Sequence, residues 1–239
     1  MSKTPLRPLA ERGRALNPDQ LNTFWRNGYL VVEDLLDLAT MDQLRDEYEV
    51  VCREARAKGA FGNFAQRESA EDEGREVMAI NQVCERNLFF NALLYNPQII
   101  DVVEDLMGPN IQLFHDFILR KPDRHGGAVF WHQDNQAWQS MPPNNITCWI
   151  ALDDADAENG ALHYIAGSHR DTLGLSVDEE GRLEDMDRIL AEGDQHIAAV
   201  RAGGTVFHHC LTIHGSAPNN SDRMRRAHSI IFMQSGTRC

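Results

Sequence analysis

The sequence predicts a mainly β fold, a sandwich of the jelly-roll type, with helices flanking it on the N-terminal side. Three observations carry this. Before Pro109 the apolar residues recur at three- and four-residue spacing, as buried helix faces do. After Pro109 the pattern changes to short β-like runs separated by Gly, Pro, Asn and Asp. About eight such runs follow one another, as a two-sheet sandwich requires. A chain of 239 residues with 42% hydrophobic content can bury one good core, so we expect one domain over residues 1–239, helical over about 17–108 and β over about 111–234.

The elements follow in order. Asn17-Pro18-Asp19 supplies a cap and first turn for a helix through Trp25 that closes near Gly28, and Tyr29 to Val32 reads as a strand. From Leu38 to Ala57 the residues Leu38, Met41, Leu44, Tyr48, Val51, Cys52 and Ala55 form one buried helical face. A helical pair covers about Asn87 to Leu94 and Gln98 to Met107, with Pro97 in the first turn and Gly108-Pro109 as the stop. The β-like runs are 111–120, 127–132, 145–152, 161–165, 196–200, 204–208, 210–214 and 227–234. Two polar, acidic stretches, 58–74 and 171–195, read as solvated loops, although Leu183 to Leu190 fits a short helix. Long loops on a rigid scaffold also act as lids, and we expect one or both to cover the site.

Charge and cysteine usage narrow the function classes. A net charge of −13 and a pI near 5.1 argue against a nucleic-acid partner, which wants a basic face. Arg223, Arg225 and Arg226 are a local exception, and a solvated strand edge would account for them. Five scattered cysteines with no CxxC pair read as reduced thiols in a cytoplasmic protein. The N-terminus lacks the apolar stretch of a signal peptide and no run approaches 18 apolar residues, so no membrane role is expected. Nothing in the sequence fixes an oligomeric state.

Chemistry concentrates at Trp131-His132-Gln133-Asp134, answered downstream by His214-Gly215-Ser216. In an extended chain His132 and Asp134 project to one side and can grip one metal together, with a distant His completing the set. Two imidazoles and one carboxylate hold Fe(II) on one face and leave positions open for a co-substrate and dioxygen. A closed structural zinc site would fill its fourth position with another protein ligand.

These residues resemble the phytanoyl-CoA dioxygenase-like branch of the Fe(II)/2-oxoglutarate-dependent oxygenases. The similarity runs through His132-Gln133-Asp134, Ile146 to Asp154, Glu158 to Leu162, Gly167-Ser168-His169-Arg170, Phe207-His208-His209, His214-Gly215-Ser216 and Arg225-Arg226-Ala227, covering about residues 111–234. It implies a double-stranded β-helix, a cupin-like jelly roll with the N-terminal helices packed on its major sheet. It implies that His132, Asp134 and His214 bind iron and that 2-oxoglutarate and O2 are co-substrates. It further implies that Arg225, eleven positions after His214, pairs with the far carboxylate of 2-oxoglutarate. A guanidinium suits that task because its fork of donors matches a carboxylate and stays charged. Arg223 and Arg226 remain open as alternatives; strand alternation would aim Arg225 and Arg226 at opposite faces. Ser216 and Trp149 match positions that line the co-substrate pocket in relatives. Halogenating relatives carry a small residue where Asp134 stands, so hydroxylation, desaturation or oxidative cyclisation is expected instead.

His115 either lines the pocket or sits hydrogen-bonded in the sandwich. His208 and His209 are expected to support a ligand or the fold, not to bind metal, and His163 and His169 to serve structural turns. For substrate contact we name His115, Phe117, Asn135, Gln136 and Trp138, with Phe130 as a further stacking surface. That mix suits a small polar metabolite, sugar-like or amino-acid-like, in natural-product or sugar-containing antibiotic biosynthesis. Two other classes stay in view: a cupin-like metal enzyme that uses no 2-oxo acid, which would not need Arg225, and a non-catalytic metabolite-binding module, which would tolerate a broken triad.

Overall fold

Strand alternation decides the architecture, because successive side chains leave a strand on opposite faces. Ile146–Ala151 (β6) sends Ile146, Cys148 and Ile150 into one core and Trp149 and Ala151 into another. Arg225–Gln234 (β11) repeats the split, with Ile230 and Phe232 in the first core and Ala227 in the second. In the computed structural model, which describes residues 15–66, 70–170, 175–178 and 182–239, the first core faces helices and the second faces another sheet.

The strands of the larger sheet are Tyr29–Val32 (β1), Gly62–Asn63 (β2), Met78–Asn81 (β3), Ile111–Lys121 (β4), β6, Thr205–His209 (β9) and β11. The smaller sheet holds Val129–His132 (β5), Leu162–Ile165 (β7), Gln195–Ala198 (β8) and His214–Ser216 (β10). Their orders are β1-β9-β6-β11-β4-β3-β2 and β5-β10-β7-β8, with every ladder antiparallel. This is the expected jelly roll.

The helices are Pro18–Asn27 (α1), Leu38–Lys58 (α2), Leu88–Leu93 (α3), Pro97–Met107 (α4), Asp134–Trp138 (α5) and Met186–Glu192 (α6). Each of the first four begins where a side chain satisfies an orphan backbone donor. Asn17 accepts from the Gln20 amide at 2.9 Å and Gln20 returns the bond to the Asn17 amide, which sets the start of α1. Gly28 ends it at φ +81°, where an added Cβ would lie 2.5 Å from His169 and Thr212. The predicted face of α2 is buried from Met41 through Ala55 against the larger sheet, with Phe90, Ile99, Val103 and Leu106, but Leu38, at the first turn of the helix, is exposed. Large apolar side chains buried this way contribute about 1.5–3 kcal/mol each, so the helices brace the sheet from behind and leave its other face for the site.

Several boundaries differ from expectation. Residues 210–214 do not form one strand: the Thr212 amide bonds back to His209 O at 2.8 Å and its hydroxyl to Gly28 O at 2.7 Å, making a turn, and β10 begins only at His214. Asp134 is not on an extended segment; the chain is extended at Gln133 (φ −111°, ψ 133°) and Asp134 opens α5. β2 and β3 lie where no strand was expected, and the short helix near 183–190 is α6. Parts of both acidic stretches, 67–69, 171–174 and 179–181, lie outside the described residues. Among the described residues no helix is long and apolar enough to cross a membrane.

Candidate active site

The ladder between β5 and β10 sets His132 directly opposite His214, their rings 4.3 Å apart. Each ring is clamped alike: His132 Nδ1 donates to Phe130 O at 2.8 Å and His214 Nδ1 to Thr212 O at 2.9 Å. That fixes the tautomer and leaves both Nε2 lone pairs free. Both point at Asp134, whose Oδ1 lies 3.7 Å from His132 Nε2 and 3.8 Å from His214 Nε2. Asp134 Oδ2 is occupied, accepting from Thr147 Oγ1 at 2.9 Å and His208 Nε2 at 3.1 Å. Three donor atoms within 4.8 Å of one another therefore converge from one side.

The electrostatics suit a cation. Burial, with each imidazole's neighbouring histidine adding to it, holds His132 and His214 down to about 4, so both are neutral donors at ordinary pH. Burial by itself would raise the Asp134 carboxyl, but His214, His208 and His132 hold it below the usual carboxylate range. Two neutral imidazoles and one carboxylate oxygen are a donor set that fits a divalent iron and leaves its other side open.

Behind this group lies a cavity of about 280 Å³. Arg225 forms its inner wall, only 1% exposed, its Cζ 5.3 Å from the Trp149 ring centroid. Its Nε and Nη1 are buried without hydrogen-bond partners. Burial pulls the guanidinium down to about 10, still charged. The two rival arginines are already spent. Arg226, on the opposite face as alternation requires, grips Asp153 at 2.9 and 2.8 Å and Glu49 at 2.9 Å. Arg223 pairs with Asp156 at 2.8 Å. Arg225 alone of the three offers a free fork to the cavity, and Ser216 and Trp149 line the same space.

The substrate candidates divide. His115, Phe117 and Trp138 line the cavity. His115 Nε2 sits 3.3 Å from Asn81 Oδ1, so it is both hydrogen-bonded and exposed to the pocket. Asn135 and Gln136 turn elsewhere: Asn135 Oδ1 accepts from the Ser140 amide and hydroxyl, and Gln136 Oε1 accepts from the Gln133 amide at the start of α5. Because Asp134 opens a helix, the two residues after it are consumed by that helix. Phe130 lies against His132 and is not among the lining residues. The sequence offered no signal for Phe64, Asn81 and Thr147, which do line the cavity. Phe64 comes from the 58–74 stretch; among the described residues of 171–195, none lines it.

The phytanoyl-CoA dioxygenase (PhyH) family model matches residues 24–227. The peroxisomal phytanoyl-CoA dioxygenase of Bos taurus is 30% identical over 234 residues, 91% of this chain and 68% of that protein. The fold is shared with SnoK, a non-haem α-ketoglutarate-dependent carbocyclase from nogalamycin biosynthesis, at TM-score 0.81 and 22% identity over 94% of this chain and 88% of that one. It is shared too with EctD from S. alaskensis, solved with 2-oxoglutarate and 5-hydroxyectoine, at TM-score 0.78 and 21% identity over 92% and 77%. With most of its length matched by the family model and a 30% identical relative, the chain belongs to the phytanoyl-CoA dioxygenase family of Fe(II)/2-oxoglutarate-dependent oxygenases.

Proposed function

We propose that this oxygenase hydroxylates a C–H bond of a small, uncharged, ring-bearing metabolite of the natural-product kind, with His132, Asp134 and His214 holding Fe(II) and Arg225 holding 2-oxoglutarate. One observation carries the co-substrate reading: a buried, charged guanidinium with unpartnered donors faces the same cavity as the three metal-binding groups. An unpaired buried cation is costly, and a dicarboxylate spanning from metal to Arg225 relieves that cost. A cupin-like enzyme using no 2-oxo acid leaves Arg225 unexplained, and a non-catalytic module leaves the intact triad unexplained.

Bound iron with 2-oxoglutarate supplies the oxidising power for dioxygen chemistry. The chain's own residues supply position. The carbonyls of Phe130 and Thr212 fix the imidazoles, Thr147 and His208 hold one oxygen of Asp134 so that the other faces the metal, and Trp149 keeps the Arg225 fork flat against the wall. The apolar walls keep water from the reacting groups.

The substrate reading rests on the cavity's mouth. Phe64, Phe117 and Trp138 offer flat apolar surfaces, and Asn81 with His115 offers one hydrogen-bonding pair. Burial lowers the His115 pKa, which favours a neutral imidazole. No Lys or Arg besides Arg225 lines the cavity among the described residues, and the chain carries a net −13, which disfavours a polyanionic substrate such as a CoA ester. Helices and jelly roll act as one unit in this reading, and the scattered cysteines support a reducing, cytoplasmic setting.

The test is anaerobic titration with Fe(II), with and without 2-oxoglutarate, following the weak visible charge-transfer band of the chelate. The band is expected in wild type and lost in Asp134→Ala; Arg225→Ala should retain iron and demand far more 2-oxoglutarate. Iron binding without a band would favour the cupin-like reading. A substrate screen by succinate release then checks the neutral-ring prediction.

A further inference from the structure

The register across the smaller sheet places His132, His214, Tyr164 and His196 in one row, each paired with the next. Directly paired residues share a face, so the row looks into the sandwich. Facing it, β1 pairs Tyr29 with His208 of β9, and His208 pairs with Thr147 of β6. Where the rows meet, two Tyr–His–Asp chains form. Tyr164 Oη donates to His208 Nδ1 at 2.8 Å, and His208 Nε2 donates to Asp134 Oδ2 at 3.1 Å. Tyr29 Oη donates to His196 Nδ1 at 2.7 Å, and His196 Nε2 lies 3.2 Å from Asp194 Oδ2. The two phenol rings stack with centroids 4.3 Å apart and planes 5° from parallel. Tyr164 is fully buried, whereas Asp194 is 76% exposed at its side chain. A continuous path thus runs from the metal-binding carboxylate to the surface.

Packing alone asks for buried aromatics, not for this order of groups. A phenol gives up an electron readily only if its proton has somewhere to go, and here each tyrosine donates to an imidazole nitrogen backed by a carboxylate. Face-to-face rings in contact are a short electron-transfer step.

We propose that Tyr164 and Tyr29 form a redox relay that discharges oxidising equivalents left at the iron when dioxygen reacts with no substrate in place. The proposal rests on the metal reading above. In each transfer one electron leaves Tyr164 for the metal centre while its phenol proton moves to His208 Nδ1. Tyr29 then reduces the Tyr164 radical across the stack; the proton returns from His208 to Tyr164 Oη, and the Tyr29 proton moves to His196 Nδ1. A thiol or ascorbate-type reductant gives its electron to Tyr29, whose proton returns from His196. Two such transfers, with two protons taken from water at the cavity, return the centre to Fe(II) and release the oxygen atom left there as water. The reductant gives up the matching two protons, as two thiols do in forming a disulfide, and the bonds of the protein are unchanged.

The experiment uses the full chain loaded anaerobically with Fe(II) and 2-oxoglutarate, its visible band recorded first, then mixed with oxygenated buffer without substrate and freeze-quenched for electron paramagnetic resonance. Wild type should show a tyrosyl radical that ascorbate removes quickly. Tyr164→Phe should lose it. Tyr29→Phe should keep a radical with a different hyperfine pattern, resist ascorbate several-fold longer, and gain oxygen adducts near the metal site by peptide mass spectrometry. If Tyr164→Phe does not fold, the Tyr29→Phe pattern and ascorbate rate decide alone. A visible band with no tyrosyl radical in wild type, or a radical unchanged in Tyr29→Phe, overturns the relay while leaving the metal reading standing. Absence of the band overturns the relay together with the 2-oxoglutarate reading it rests on.

Discussion

Thr147 donates its hydroxyl hydrogen to Asp134 Oδ2 at 2.9 Å from across the cavity, so the rotamer of the Asp134 carboxylate, the proposed iron ligand, is set by a strand of the opposite sheet. Thr147→Val keeps the shape and removes the donor. It should weaken Fe(II) binding about 10- to 100-fold with little change in thermal unfolding. Metal titration checks it; unaltered affinity would mean His208 suffices to hold Asp134.

Arg225 carries a charge the fold buries without a partner. Replacing it by Met, similar in length and apolar, should leave the metal-free protein equally stable or stabilise it by about 1 kcal/mol. Wild type with metal should gain about 2.7 kcal/mol from 2-oxoglutarate at a hundred times its dissociation constant, and Arg225→Met should gain almost none. Thermal unfolding with and without 2-oxoglutarate measures both.

Arg226 is the control, one residue away and on the other face. It ties β11 to Asp153 beyond β6 and to Glu49 of α2. Arg226→Ala should cost about 1–3 kcal/mol in urea unfolding and leave the 2-oxoglutarate requirement where it was. A raised requirement would show that the two faces are not independent.

His209 sets an acid limb. Burial, and behind it His169 and His208, lowers it from 6.5 to about 4, and its Nδ1 accepts from the Leu211 amide at 3.2 Å, a bond that protonation breaks. Above pH 6.5 the imidazole is neutral folded or unfolded and contributes nothing to the pH slope. As pH falls from 6.5 toward 4 the unfolded chain takes up the proton first, so stability drops by about 2–3 kcal/mol and then levels. In metal-free protein His132 and His214, also held down to about 4, add to the same limb, so His209→Gln should make it shallower by about a third without abolishing it; an identical slope would assign the limb to the other histidines.

How much of this was legible depends on whether a residue's role is local. His132, Asp134 and His214, whose ligand atoms converge within 4.8 Å of one another, stand out by type and spacing as candidate ligands, and α1, α2 and α4 by caps and periodicity. His208 as the carboxylate's partner follows from the pairing of β9 with β6, a long-range register that local pattern does not contain. β3 is only four residues long, and its Met78, Ala79 and Ile80 are all buried without alternation before the exposed Asn81, so it carries no period-2 signal. Asn135 and Gln136 are named for following Asp134 directly, but a helix beginning at Asp134 turns them away from the cavity, Asn135 to the Ser140 amide and hydroxyl and Gln136 to the Gln133 amide.

The clamps on His132 and His214 are main-chain carbonyls, at Phe130 and Thr212. A carbonyl survives every substitution of its own residue. The Phe130 side chain can therefore change without loosening the His132 ring, whereas Thr212 is also tied by its hydroxyl to Gly28 O, and Phe64, Phe117 and Trp138 at the cavity wall can be exchanged while the arrangement of His132, Asp134 and His214 is inherited intact. A scaffold that writes its reactive centre into the backbone leaves its specificity free to drift, and laboratory evolution of this chain toward new ring systems should start at the mouth.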